Sequence, residues 1–469
     1  MSALDEVDMA TRGQAYLRAL AGRRATVFGL AKSGVAAARL LRAAGVDVVG
    51  TDAKPAAALG REVAALAEIG VRLVTGPGDP AAAFAGAELV VVSLGVSLDT
   101  PPLAAVRARQ VPIIGELELG WRATEADTIA ITGTNGKTTT TALTGSILGL
   151  QPRPVLVAGN IGTPLAAHAL AFPPDGLVVC EVSSFQLETT ELFQPRVAVV
   201  LNLTPDHLDR HRTFEAYGDA KARIFANQTA ADCAVLNADD ETTRAMISRV
   251  KAPVVWFSRR RELPHGVFVR DGRIAAKLNG HVEEICPLSE IFLRGQHNVE
   301  NVLAATACAL WTGVSPAAIR TAIGRFRGVA HRIEWVRDLA GVKYYNDSKG
   351  TNVDSTLRAL ESFAEPIVLI AGGKGKGQDF APLAEAARGR VRCAILIGED
   401  GDRIRTAFQS AGMSAASADS LEDAVRRARE AARVGDVVLL SPACASFDMF
   451  RNYEHRGDVF KAVVRALLG

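Results

Sequence analysis

Short runs of β-branched and aliphatic residues recur along this chain, separated by Ala-, Leu- and Arg-rich segments with helical spacing. Runs that are apolar throughout and too short for helices read as strands buried on both faces. The alternation therefore predicts parallel sheets with crossover helices. A first block runs from "ATVFGL" (25–30) through "VDVVGTD" (46–52) and "LVVVSLG" (89–95) to "VPIIGE" (111–116). A second begins at "TIAITGTNGKTT" (128–139) and continues through 154–160, 176–181, 197–202, 233–240 and 252–258. The polar, glycine-punctuated stretch 268–284 reads as a β-hairpin excursion from that block.

A helix over "NVLAATACALWTG" leads into a third block with strands at 342–350, 365–373, 391–400 and 435–443. The predicted fold is α/β in three units, with breaks near 123 and 328: 1–122, 123–327 and 328–469. A chain of 469 residues is too long for one core, which agrees with several domains.

Composition narrows the function classes. A net charge of +2 gives no reason to expect a nucleic-acid or membrane surface. The arginines at 259–261 and at 426, 427 and 429 read as solvated faces. Residues 1–24 mix charges and lack an apolar segment, so no signal peptide is expected, and no apolar run is long enough to span a membrane. The six cysteines are far apart with no CxxC pair, which reads as free thiols in a reducing compartment. The expectation is a cytoplasmic protein.

The candidate chemistry centres on "ITGTNGKTTTTAL" (131–143). Its loop follows an apolar strand and opens a helix, turning backbone N–H groups and a helix N-terminus toward an anion. Lys137 would reach the outer phosphates and the Thr138 hydroxyl would sit on Mg²⁺. The full GxxxxGK[ST] pattern is not met, because Ile131 holds the first glycine position. Two further strand ends converge on the same edge: "LVVCE" ends in Glu181, and "VAVVLN" leads to Asp206 and His207. His207 and His211 are spaced as a zinc pair would be, but no third His or Cys is suitably placed. Lys221 falls on the apolar stripe of Phe214, Tyr217, Ile224, Phe225 and Gln228. It is either a snorkelling lysine or a modified one turned toward the metal.

"TGTNGKTTT", "GNIGTP", "EVSSFQLE", "NLTPDHLDRH", "LNADD", "GQHNVEN", "AHRIE", "YNDSKGTN" and "LLSPACASFDMFRNYEHRG" follow one another in order over nearly the whole chain. With them the chain resembles the Mur ligases of peptidoglycan synthesis, most closely the branch that adds D-glutamate to UDP-N-acetylmuramoyl-L-alanine. The resemblance implies a Rossmann-like N-terminal domain for the UDP-sugar, a central P-loop ATPase domain and a Rossmann-like C-terminal domain for the amino acid. It implies that ATP converts the L-alanine carboxylate to an acyl phosphate, which the amine of D-glutamate attacks through a tetrahedral intermediate.

The resemblance also assigns residues. Gly133, Thr134, Asn135, Gly136, Lys137, Thr138 and Thr139 hold ATP, with Asn298 at the adenine and Arg332 and Asp347 as further contacts. Thr138, Glu181, His207 and a carbamylated Lys221 hold Mg²⁺, two ions being expected. Lys137, His207, Lys221 and Asp347 carry the chemistry, Asp347 as a candidate proton acceptor. Lys32, Ser33, Asp52, Ser93, Gly95, Asn160, Ser183 and Gln186 match UDP-sugar positions. Lys349, Thr351, Lys376, Ser446 and Phe447 match D-glutamate positions, where a dicarboxylate needs cationic and hydroxyl donors.

Read alone, "GLAKSG" (29–34) would be a poor dinucleotide fingerprint, with Asp52 at a ribose-recognition distance. "GGKGKGQD" alone could be a solvated loop. Two departures from the family pattern stand out: Leu94 where proline is common, and Tyr453 where phenylalanine is common. No "DNPR"-type segment of the diaminopimelate- or lysine-adding relatives is present. Competing readings are a sibling ligase, a folylpolyglutamate synthetase, a nucleotide-dependent switch and an NAD oxidoreductase. A monomer is the expected state.

Overall fold

The computed structural model describes residues 11–77, 80–278, 280–375 and 377–468. The chain forms three sheets in two compact units. One unit comprises residues up to Glu290 with Val299–Gly324, and the other Ile291–Asn298 with Arg325–Gly469.

In the first sheet, β1 (Arg24–Phe28), β2 (Asp47–Asp52), β3 (Arg72–Thr75), β4 (Leu89–Val92) and β5 (Ile113–Gly115) are all parallel, in the order β3-β2-β1-β4-β5. Val27, Val48 and Val91 are sealed under Leu41 and Leu66. The chain switches direction between β1 and β4, which opens a crevice at the carboxyl ends of these two strands. β3 escapes the apolar pattern because it is a half-buried edge strand.

The second sheet contains β6 (Asp127–Thr132), β7 (Val155–Gly159), β8 (Leu177–Glu181), β9 (Val197–Val200), β10 (Cys233–Asn237), β11 (Val254–Ser258), β12 (Gly266–Arg270), β13 (Arg273–Lys277) and β14 (Glu283–Pro287). Their order is β14-β13-β12-β11-β10-β9-β6-β8-β7. The expected hairpin is present, β12 and β13 pairing antiparallel across Asp271 and Gly272, but it is no excursion: β12 pairs in parallel with β11, and β13 and β14 extend the same sheet antiparallel. The helix Glu116–Ala123 packs within this unit, with Glu118 fully buried. Its carboxylate accepts the amides of Glu191, Leu192 and Phe193 at 3.0, 2.9 and 3.0 Å and the Arg122 guanidinium at 2.6 Å.

The third sheet joins β15 (Glu334–Leu339), β16 (Val342–Asn346), β17 (Ile367–Gly372), β18 (Val391–Ile397), β19 (Ala415–Ser417) and β20 (Val437–Leu440), ordered β15-β16-β20-β17-β18-β19. β15 is antiparallel to β16 and the rest are parallel. The two outer strands are again the ones that the apolar pattern does not announce. Of the arginines read as a solvated face at 259–261, Arg260 and Arg261 are exposed, whereas Arg259 is half-buried and pairs with Glu300; the Arg259 and Arg260 backbone amides donate to Asp239 Oδ2 at 2.7 and 3.1 Å.

Among the described residues, no helix is long and apolar enough to cross a membrane. All six cysteines are unpaired, as read from their spacing.

Candidate functional site

The loop after β6 has the geometry of an anion cradle. Gly136 is left-handed (φ 84°) and caps the helix Lys137–Leu148, so the first amides of that helix point outward at its positive end. A Cβ at Gly136 would lie 2.1 Å from Asn301 Oδ1, so only glycine fits. Asn202, just beyond β9, braces the loop: its Oδ1 accepts the Asn135 amide at 2.9 Å and its Nδ2 donates to the Asn135 carbonyl at 3.1 Å. The Thr134 hydroxyl donates to the Thr204 carbonyl at 3.1 Å and lies 3.1 Å from the Tyr217 hydroxyl. Thr138 is buried in the first helical turn, followed by half-buried Thr139.

Two lysines meet on one carbonyl. Lys137 Nζ donates to Gly133 O at 2.9 Å and Thr134 O at 2.8 Å, while Lys221 Nζ donates to Gly133 O at 2.8 Å and Thr132 Oγ1 at 3.2 Å. Lys221 is only 1% exposed. Burial, then the neighbouring Lys137 charge, hold its ammonium well below the usual lysine range. The stripe read from the sequence is real. Tyr217, Ile224, Phe225 and Gln228 are buried with Lys221 against the sheet, so the snorkelling alternative is excluded.

Glu181 emerges from β8 and is buried. Asn160 Nδ2 donates to its Oε1 at 2.8 Å, whereas its Oε2 is buried with no hydrogen-bond partner. An orphaned carboxylate oxygen of this kind is what a hard cation would satisfy. Asn160 thus belongs to the carboxylate's surroundings at the end of β7, with Ser183 and Gln186 following β8, and not to the first sheet with Lys32, Ser33, Asp52, Ser93 and Gly95.

Ser183 and Gln186 form a reciprocal capping box: the Gln186 amide donates to Ser183 Oγ at 3.2 Å and the Ser183 amide to Gln186 Oε1 at 3.0 Å. That turn is zipped to the segment after β9. Arg210 pairs with Glu188 at 2.6 Å, His211 Nε2 lies 3.0 Å from Ser184 Oγ, and the Phe185 ring packs edge-on to His207 at 4.9 Å. His207 is left-handed (φ 53°), exposed and 3.6 Å from Asp206. His211 is buried and turned to Ser184 and Glu188, so the two histidines do not form a pair facing one ion. Among the described residues no group of three His, Cys, Asp or Glu could hold a metal.

On the first sheet, Ser33 Oγ and Ser93 Oγ are 2.7 Å apart across the β1–β4 crevice, beside exposed Lys32 and Gly95. Asp52 at the end of β2 shapes the loops, accepting the Leu30 and Lys54 amides at 2.8 and 2.9 Å. Leu94 donates its amide to Ser33 Oγ at 3.4 Å, a bond that proline could not make.

In the second unit, Asp347 follows β16. It accepts the Ser441 hydroxyl at 2.7 Å and the Ile333 amide at 3.2 Å, and burial pushes its carboxyl up to about 7. Arg332 has a buried Nε without a partner. Lys349 lies over the Tyr453 ring at 5.5 Å, Thr351 is half-buried nearby in sequence, Ser446 is buried and Phe447 is exposed. Lys376 lies outside the described residues. The residue that sequence reasoning missed is Arg456. It is fully buried, and its guanidinium donates to Ser348 Oγ and O at 3.0 and 2.9 Å and to the Cys444 and Ala445 carbonyls at 3.1–3.3 Å. It ties the loop carrying Lys349 and Thr351 to the one carrying Ser446 and Phe447. Asn298 stands in the first turn of the helix Gln296–Trp311 and donates from Nδ2 to the Arg294 carbonyl at 2.5 Å.

Three family descriptions match along the chain: the Mur ligase MurD-like N-terminal domain over residues 23–115, the Mur ligase middle domain over 131–309, and the Mur ligase glutamate ligase domain over 331–444. The UDP-N-acetylmuramoylalanine–D-glutamate ligase of Acidobacterium capsulatum is 49% identical over 452 residues, covering 96% of this chain and 98% of its own. That of Pelotomaculum thermopropionicum is 47% identical over 446 residues, covering 95% and 98%. Among solved structures, the UDP-N-acetylmuramate-alanine ligase of Thermotoga maritima matches with a TM-score of 0.57 at 21% identity, covering 95% of this chain and 99% of its own. A pseudomurein peptide ligase type C of Methanothermus fervidus matches at 0.56 and 18%, with the same coverage. These two speak for the fold. Identity near one half along almost the whole length of both chains speaks for more: this chain belongs to the Mur ligase family, among the UDP-N-acetylmuramoylalanine–D-glutamate ligases.

Proposed function

We propose that this chain joins D-glutamate to UDP-N-acetylmuramoyl-L-alanine with conversion of ATP to ADP and phosphate, in cytoplasmic peptidoglycan precursor synthesis. The observation that carries the reading is the cluster around the β6 loop: an anion cradle, two lysines on one carbonyl and a buried carboxylate oxygen without a partner. Phosphoryl transfer needs placement and charge neutralisation more than a covalent nucleophile, and this cluster offers both.

In this reading the amides of 133–139 and Lys137 hold the outer phosphates, with Lys137 leaving its two loop carbonyls as they arrive. Mg²⁺, two ions in our proposal, would be held by Thr138, Glu181, His207 and a carbamylated Lys221, and would neutralise charge on the transferring group. Lys221 suits carbamylation because burial and the Lys137 charge favour its neutral amine, the form that adds CO₂ and releases one proton. Beside Lys137 the modification would replace repulsion with attraction.

Arg332 and Asn298 would orient ATP. Asp347, held near neutrality by its burial, would accept a proton from the attacking amine of D-glutamate. Lys349, Thr351, Lys376, Ser446 and Phe447 would hold the amino acid. Lys32, Ser33, Asp52, Ser93 and Gly95 would hold the UDP-sugar, with Asn160, Ser183 and Gln186 nearer the reacting carboxylate. The domain limits 1–122, 123–327 and 328–469 and a monomeric state belong to the same proposal.

The test is phosphate release from ATP with UDP-N-acetylmuramoyl-L-alanine and a panel of amino acids that includes both glutamate enantiomers. Release dependent on the sugar nucleotide and on D-glutamate is expected. Release with another amino acid would move the chain to a sibling activity, and release with neither substrate would point to a switch.

A further inference from the structure

The segment ahead of the helix Gln296–Trp311 is held by an arginine that the reading above does not use. One Arg294 nitrogen, Nη1, lies 2.7 Å from both carboxylate oxygens of Glu365. Its guanidinium also lies 5.4 Å from the ring centroids of Tyr345 and Phe363. An ion pair seated against two aromatic rings is more rigid than a surface pair, because the rings confine the guanidinium plane. The backbone of the same residue then acts on Asn298: the Arg294 carbonyl accepts the Asn298 Nδ2 hydrogen bond at 2.5 Å. Ile291–Asn298 is accordingly grouped with the C-terminal residues, although Val299 onward in the same helix is not.

We propose that Arg294 and Glu365 are positioning residues for the nucleotide. They anchor Ile291–Asn298 to the body that carries Tyr345 and Phe363, and so set where the Asn298 amide is presented. The inference rests on the reading that Asn298 meets the adenine of ATP. Glu365 also has Lys343 at 3.5 Å, so loss of Arg294 does not strand its carboxylate and the body should still fold.

The experiment is steady-state kinetics of Arg294→Ala, Arg294→Lys, Glu365→Gln and Asn298→Ala in the full chain, with thermal unfolding alongside. The expected result is a KM for ATP raised roughly fivefold or more in Arg294→Ala and Glu365→Gln, the size of a lost charge-assisted anchor. KM for D-glutamate and kcat should stay within about twofold, and Arg294→Lys should be intermediate. If Asn298→Ala raises KM for ATP while neither anchor variant does, the anchor proposal is wrong and the adenine reading stands. If Asn298→Ala leaves KM for ATP unchanged, the adenine reading fails and takes the proposal with it. Equal changes in every kinetic constant, with a lowered unfolding temperature, would reduce Arg294 to a structural residue and overturn the proposal.

Discussion

Lys221 and Asp347 carry the same physics with opposite charges: each is a titratable group that burial drives toward its neutral form. For Lys221 the neutral amine is the form that can be carbamylated. Lys221→Ala should lower turnover by roughly a hundredfold or more, and small carboxylates such as acetate should restore part of it. An unchanged rate, or a loss that no carboxylate mends, would remove the carbamate from the scheme. Asp347 rises from 3.8 to about 7, so between those values the native state binds a proton that the unfolded chain has lost. Its contribution to stability therefore falls as pH rises through that window. Asp347→Asn should raise the unfolding temperature relative to the parent by clearly more at pH 8 than at pH 5, and parent turnover should climb through an apparent pKa near 7. A difference in unfolding temperature that is the same at both pH values would contradict this. The stripe of Tyr217, Lys221, Ile224 and Phe225 was legible because helical spacing is local. The orphaned Glu181 oxygen and the cage around Arg456 were not: the first is a missing partner that only packing reveals, and Ser348 lies 108 residues from the Arg456 that it binds.

Elements with a continuous apolar run were readable, and those without one were not. β1, β6 and β17 are sealed on both faces and announce themselves. β3, β15 and β19 are short or half-exposed edge strands, where the apolar signal is weakest. The first turn of the helix Lys32–Ala43 shows how tightly an element can be specified. A Cβ on Gly34 would stand 1.8 Å from the Gly29 carbonyl oxygen, a backbone atom that cannot move aside cheaply. Gly34→Ala should therefore cost about 2 kcal/mol or more and weaken binding of the UDP-sugar. Gly324→Ala, near a helix end with open space around it, serves as the control and should be neutral or slightly stabilising. Thermal unfolding and sugar-nucleotide titration of the pair would decide the matter. Equal behaviour of the two variants would mean that the helix is free to shift.

At the scale of the molecule, several of the candidate groups sit at the carboxyl edge of a parallel sheet, while Lys221 and Asn298 are brought in on helices. Ser33 and Ser93 flank the β1–β4 switch, and the 133–139 loop and Glu181 follow β6 and β8. Asp347 and Ser441 follow the neighbouring strands β16 and β20. Parallel strands send all their carboxyl ends one way, so residues distant in sequence gather on one rim. The braces are equally non-local: Asn202 steadies a loop some seventy residues earlier and Arg456 joins two loops of the second unit.

Residue order alone is enough for the α/β class, the three blocks of strands, the glycine–lysine loop and the family membership that the ordered segments announce. Each of these is written in residue type and short-range spacing, which local sterics and periodicity convert directly into structure. It took the folded molecule to bring Lys137 and Lys221 onto one carbonyl, to leave one Glu181 oxygen unsatisfied beside Asn160, and to pair Arg294 with Glu365 next to Asn298. Those facts depend on which distant groups burial brings within hydrogen-bond reach. No local pattern encodes them, because the low dielectric that gives them their force exists only once the chain has folded.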